Sequence, residues 1–157
     1  MKKNKGFSMV ELIIVIAIMA ILAGALAPAL IKYINKSRIS TDIQTANTIA
    51  TAVQTALANE TGYDEAAGIM GAGTWTDIST LYTTGSVFGP LVKDTVGGSS
   101  APTIKSKKCL AGTPYTGATF EVEIDGNSIR VRESGAGHIL YPTASKCLTD
   151  DENTCTP

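Results

Sequence analysis

The chain has 157 residues, room for one modest globular domain or one domain plus an appendage. Its 13 basic and 14 acidic residues nearly cancel, which gives no polyanion-binding signal, and a single histidine, His138, excludes a histidine cluster. The 44% hydrophobic content would be ordinary if spread evenly, but Leu12 to Ile31 contains no charged or strongly polar side chain.

From the N-terminus, Lys2, Lys3 and Lys5 precede the stretch GFSMVEL, and the apolar run follows. As a helix, its twenty residues span about 30 Å, the thickness of a bilayer's hydrocarbon core. A helix apolar on every face has little use in a soluble domain of this size. One ordinary reading is a secretory signal cut at the small-x-small site Ala25-Leu26-Ala27; another is a plain uncleaved anchor. The length of the run, Pro28 just after that cut and Glu11 near its start oppose the first. Lys32, Lys36 and Arg38 flank the far side almost as strongly as the lysines flank the near side, so the positive-inside rule decides little.

Glu11 separates these readings from a third. A carboxylate at the bilayer centre costs about 3 kcal/mol. Nearer the surface it costs less, yet once buried in protein it needs a partner. No lysine, arginine or histidine in the run supplies one. A cut between Gly6 and Phe7 would create an amine four residues before Glu11, within reach of its own carboxylate or a neighbouring subunit's.

GFSMVEL followed by IIVIAIMAILAGALAPAL resembles the class III signal and N-terminal helix of type IV pilins and their pseudopilin relatives. The matches are the lysine-rich leader ending in Gly6, the aromatic Phe7, Glu11 four residues on, and an apolar helix containing Gly24 and Pro28. The resemblance covers roughly the first 35 residues. It implies that a prepilin peptidase removes residues 1–6 and that Phe7 becomes the N-methylated N-terminus. It assigns Glu11 to neutralising an N-terminal amine in the filament core or guiding an incoming subunit. The expected fold class is α+β, the type IV pilin fold, in which the C-terminal half of a long N-terminal helix packs on a small antiparallel sheet. Apolar helices are content in lipid and equally content bundled with copies of themselves, so subunits can leave the membrane with little loss of burial. Pro28 removes a backbone donor and crowds the carbonyl four residues back; it marks either a mild kink or a segment, Ala17 to Pro28, that bends or melts on assembly.

Residues 7–31 are thus read as a transmembrane and filament-core helix and 32–61 as its amphipathic continuation. Ile39, Ile43, Ala46, Ala50, Val53 and Leu57 recur at steps of four and three on one face, with Asp42, Gln44, Thr45, Asn47, Thr51 and Gln54 on the others. Gly62 is the expected stop, making Phe7 to Thr61 one helix of about 80 Å. A membrane helix followed by a separate short helix is the alternative.

Residues 62–157 form the expected head. Trp75, Leu81, Tyr82, Val87, Phe88, Leu91 and Val92 suggest loops and short elements pinned to a core, and Gly97-Gly98-Ser99-Ser100 a turn without the lysine-hydroxyl ending of a phosphate loop. Lys105, Lys107 and Lys108 make a small basic patch, read as a solvated loop in preference to a contact with DNA. In ATFEVEIDGNSIRVRES, Phe120, Val122 and Ile124 alternate with polar neighbours, as do Ile129 and Val131. A turn at Gly126-Asn127 would face Glu123 with Arg130 and Glu121 with Arg132; a turn at Asp125-Gly126 keeps both faces and leaves the register open. Ile139, Leu140 and Tyr141 could add a third strand.

Cys109, Cys147 and Cys155 lie in the second half; in an extracytoplasmic head they read as one disulfide with one cysteine left over, the alternative being three unrelated buried or surface thiols, while the lack of CxxC spacing and of a histidine near a pair opposes metal binding. Both Cys147–Cys155 and Cys109–Cys147 resemble ways pilin heads staple their C-terminal region, with a slight preference for the second. Asp150, Asp151 and Glu152 read as a solvated acidic run before a cation site. The leading function is a structural subunit polymerising into an extracellular type IV pilus for adhesion, surface motility or DNA uptake. The alternative is a pseudopilin of a type II secretion or competence apparatus. The implied partners are further copies of the chain in a helical homopolymer, the prepilin peptidase, the assembly platform with its ATPase, and the membrane before assembly. The precursor would cross the cytoplasmic membrane once with its head outside. No cofactor is implied, and His138 with scattered hydroxyls supplies no nucleophile–base–orienter set for a membrane-anchored enzyme or binding module.

Overall fold

A computed structural model describes residues 6–106, 119–135, 137–145 and 148. The chain divides into two compact units, one ending at Ile34 and the other beginning at Asn35.

In the first unit the helix α1 (Met9–Leu57) begins. Every residue from Gly6 to Ile34 is exposed, including Phe7 at 83%, Ile21 at 73% and Tyr33 at 73%. Pro28 lies inside the helix without ending it. Its ring takes the place of the N–H that would bond the carbonyl of Gly24, so the helix lacks one rung there. A Cβ on Gly24 would meet nothing within 4 Å, so this subunit's own packing does not demand glycine at that position.

In the second unit α1 turns amphipathic and buries Ile39, Asp42, Ala46, Ile49, Ala50, Ala52, Val53 and Ala56. The face is centred slightly off the expected one. Ile43 and Leu57 are only partly buried, whereas the small Ala46, Ala50, Ala52 and Ala56 lie fully within the core. Asp42, expected on the polar side, is 1% exposed. It belongs to the core face because its carboxylate receives the backbone N–H groups of Lys105 at 2.9 Å and Ser106 at 2.8 Å, and the Ser106 hydroxyl.

Helix α1 ends at Leu57, four residues short of the expected Thr61. Asn59 is extended (φ −87°, ψ 127°) and its side chain caps a second helix, α2 (Glu60–Ala66), by accepting from the Gly62 N–H at 3.1 Å. Gly62 is therefore not the stop. It is a contact point, where an added Cβ would sit 2.4 Å from the Ala56 carbonyl oxygen.

A 3-10 turn (Ala67–Ile69), strand β1 (Trp75–Asp77) and helices α3 (Ile78–Leu81) and α4 (Phe88–Val96) follow. The sheet adds β2 (Phe120–Asp125), β3 (Ser128–Glu133) and β4 (Ile139–Tyr141) in the order β1-β2-β3-β4, all neighbours antiparallel. Val122 pairs Val131, Ile124 pairs Ile129, Glu123 pairs Arg130 and Glu121 pairs Arg132. That places the turn at Gly126-Asn127, with Gly126 at φ 57°, a conformation glycine adopts without strain. Phe120, Val122, Ile124, Ile129, Val131 and Leu140 share one core with the buried residues of α1, and with Ile78, Leu81, Phe88 and Val92. A long N-terminal helix packed by its later part on a small antiparallel sheet is the α+β arrangement that the type IV pilin resemblance implies.

Candidate functional site

Of the expected processing and assembly residues, Gly6, Phe7 and Glu11 lie together at the start of α1. Gly6, Phe7 and Ser8 precede the first helical residue, Met9, and all three are exposed, so the Gly6–Phe7 bond is open to an enzyme. A Cβ on Gly6 would meet nothing within 4 Å, so a requirement for glycine there would come from outside the chain.

Ser8 is the residue from which the helix starts. Its carbonyl accepts the first helical bond, from the Leu12 N–H at 3.2 Å, and its Oγ accepts from the Val10 N–H at 3.4 Å. Its own N–H donates to Glu11 Oε2 at 2.8 Å. The glutamate half of a capping box is thus formed, while the serine Oγ accepts from the second helical N–H instead of the third; together they satisfy two donors at the helix start. The carboxylate therefore has a partner inside the chain, a backbone N–H. The signal was present in the sequence as Ser8-x-x-Glu11 immediately before an apolar run. The negative charge also sits in the first turn, at the positive end of the helix dipole. Gly24 and Pro28 lie further along the same helix, about 20 Å and 26 Å from Glu11 at 1.5 Å per residue, and do not join this cluster.

Several ionisable groups of the second unit have structural partners, some of them beyond the reach of sequence spacing. Glu65 of α2 reaches the start of α4 and accepts from the backbone N–H groups of Ser86, Val87 and Phe88, each at 2.8 Å, and from the Ser86 hydroxyl. Those donors, that of Phe88 first, hold its carboxyl down to about 2. Glu123 is 1% exposed, contacts the Arg130 guanidinium and accepts from the Gly73 N–H. On the same face Arg132 donates to Glu121 at 2.7 Å and lies 4.0 Å from the centre of the Trp75 ring. His138 Nδ1 lies 3.0 Å from Glu133 Oε1, and the two residues are 2% and 1% exposed. A histidine so enclosed cannot meet a substrate arriving from solvent.

Among the described residues no group of three or more His, Cys, Asp or Glu could hold a metal ion. Cys109, Cys147 and Cys155, with both expected pairings, lie outside the described residues. So do Lys107 and Lys108 of the basic patch, and Asp150, Asp151 and Glu152.

Residues 1–27 match the family model described as the prokaryotic N-terminal methylation motif. The chain therefore carries the signal motif of type IV pilins and pseudopilins, covering the leader, Glu11 and Gly24 and ending one residue before Pro28. No curated protein and no solved structure matches the chain.

Proposed function

We propose that this chain is a structural subunit of a type IV pilus, made as a single-pass membrane precursor and drawn into an extracellular filament through its N-terminal helix. One observation carries the reading. The apolar run that begins within the methylation motif continues unbroken to Ile31, and none of the most apolar stretch of α1 is buried by the chain itself. Fully burying a Leu, Ile, Val or Met side chain is worth about 1.5–3 kcal/mol. Leu12, Ile13, Ile14, Ile16, Ile18, Met19, Ile21, Leu22, Leu26, Leu30 and Ile31 are all more than half exposed. Together they represent tens of kcal/mol that lipid can supply before assembly and copies of the same helix afterwards.

In this reading the prepilin peptidase cuts between Gly6 and Phe7, Phe7 is N-methylated, and residues 7–31 pass from bilayer to filament core. Glu11 enters that core as its ionisable group and meets the positive amine of a Phe7. The platform and its ATPase supply the work of extraction. The head, with its own core and sheet, forms the filament's outer surface.

Gold-labelled antibody against the head tests the proposal on whole cells. Label running along surface fibres, lost with the fibres when the coding sequence is deleted, is the expected result. Label confined to the cell envelope, with fibres unchanged by the deletion, would overturn it.

A further inference from the structure

We propose that Ser8 is a positioning residue for assembly: through its bonds at the helix start it holds the Glu11 carboxylate near the nitrogen that the cut at Gly6/Phe7 turns into an amine. The inference rests on the filament reading above and deepens it.

The geometry begins with Glu11 Oε2, 2.8 Å from the Ser8 N–H. Phe7 is the adjacent residue, and consecutive backbone nitrogens lie no more than about 3.8 Å apart. The carboxylate oxygen therefore lies within about 7 Å of the future amine before any second subunit arrives. Composition then singles out Ser8. Between Gly6 and Ile31 the only polar side chains are Ser8 and Glu11. The flanking Phe7, Met9 and Val10 are 83%, 81% and 63% exposed, so packing within the chain does not fix this turn. The turn is tied instead by the two polar side chains, Ser8 Oγ accepting from the Val10 N–H and Glu11 Oε2 from the Ser8 N–H.

Electrostatics gives the arrangement its purpose. A new cation at the start of a helix opposes the positive end of the helix dipole, and N-methylation leaves that charge in place. A carboxylate held in the first turn offsets both, so the cut does not fray the end that must dock. Setting its geometry in advance also reduces the ordering required when a neighbour's helix arrives.

The test uses the full chain expressed with its assembly apparatus, reading the N-terminus by mass spectrometry and the yield of sheared fibres. Ser8→Ala is expected to leave processing at Phe7 as in the wild type and to lower fibre yield by about 2- to 30-fold, the range a lost N-cap spans as an equilibrium factor. Ser8→Thr and Ser8→Asn, which both cap helices, should restore the yield. Wild-type yield from Ser8→Ala, a block in cleavage, or failure of the Asn variant to restore fibres would each overturn the inference and leave the filament reading standing. Absence of the wild-type chain from fibres defeats the filament reading instead. A second measurement is independent of assembly. In micelles, amide exchange at Val10 and Leu12 should quicken by the same factor in Ser8→Ala, and unchanged protection would contradict the capping role.

Discussion

Glu11 shows how one side chain can serve a helix and an assembly step by different properties. The capping bond needs an acceptor, whereas meeting an amine needs a charge. Glu11→Gln keeps the acceptor and loses the charge, and Glu11→Ala loses both. Both variants are expected to lose fibres, with the protected helix start retained in Gln and frayed in Ala, as read by amide exchange. Glu65 is a second carboxylate tied to a helix start, with its carboxyl held down to about 2 from an ordinary 4.5. A group lowered in this way stabilises the fold above its ordinary value, and the contribution disappears as pH falls from about 4.5 to about 2. The unfolding midpoint of the wild type should drop through that window. In Glu65→Gln it should start lower and change less, as thermal denaturation across the pH range would record. Asp42 carries the strongest prediction for stability. Asp42→Ala leaves the Lys105 N–H, the Ser106 N–H and the Ser106 hydroxyl without their acceptor in or near the core, an expected loss of about 3 kcal/mol by urea unfolding.

At the level of elements, local pattern was enough wherever the determining partners were close in sequence. The β2–β3 hairpin follows from alternation, and its charge pairs Glu123–Arg130 and Glu121–Arg132 meet as the Gly126-Asn127 turn requires. Strand β4, Ile139–Tyr141, falls on the short apolar run expected to add a strand to the hairpin. Legibility failed where a distant segment decides. Glu123 looks solvent-facing from the hairpin alone, but β1 lays Trp75 directly opposite it and the Gly73 N–H reaches its carboxylate. Asp42 looks like part of a polar helix face until Lys105 and Ser106 arrive from more than sixty residues away. Glu65 is likewise unreadable without Ser86 to Phe88. The end of α1 was misplaced for a local reason: Gly62 resembles a helix stop, but Asn59 in extended geometry ends the run first. Gly62 is instead kept small by the Ala56 carbonyl. Gly62→Ala should cost roughly 1–3 kcal/mol by denaturant unfolding, because a backbone atom must move to admit the methyl group.

For the molecule as a whole, the division of labour between its two units was legible early because it is written in composition. Residues Leu12 to Ile31 have no polar side chain to turn toward water, while Ile39 to Ala56 keep an apolar stripe for a sheet that the later sequence supplies. Of the candidate site, Gly6, Phe7 and Glu11 stand out in the sequence, whereas the bond from the Ser8 N–H to Glu11 emerges from the structure. Intact-mass and N-terminal analysis of fibres sheared from native cells is the most direct test of the filament proposal. The predicted result is this chain in the fibres, beginning at N-methyl-Phe7. A chain beginning at Met1, or at Pro28 after an ordinary signal-peptide cut, would contradict it.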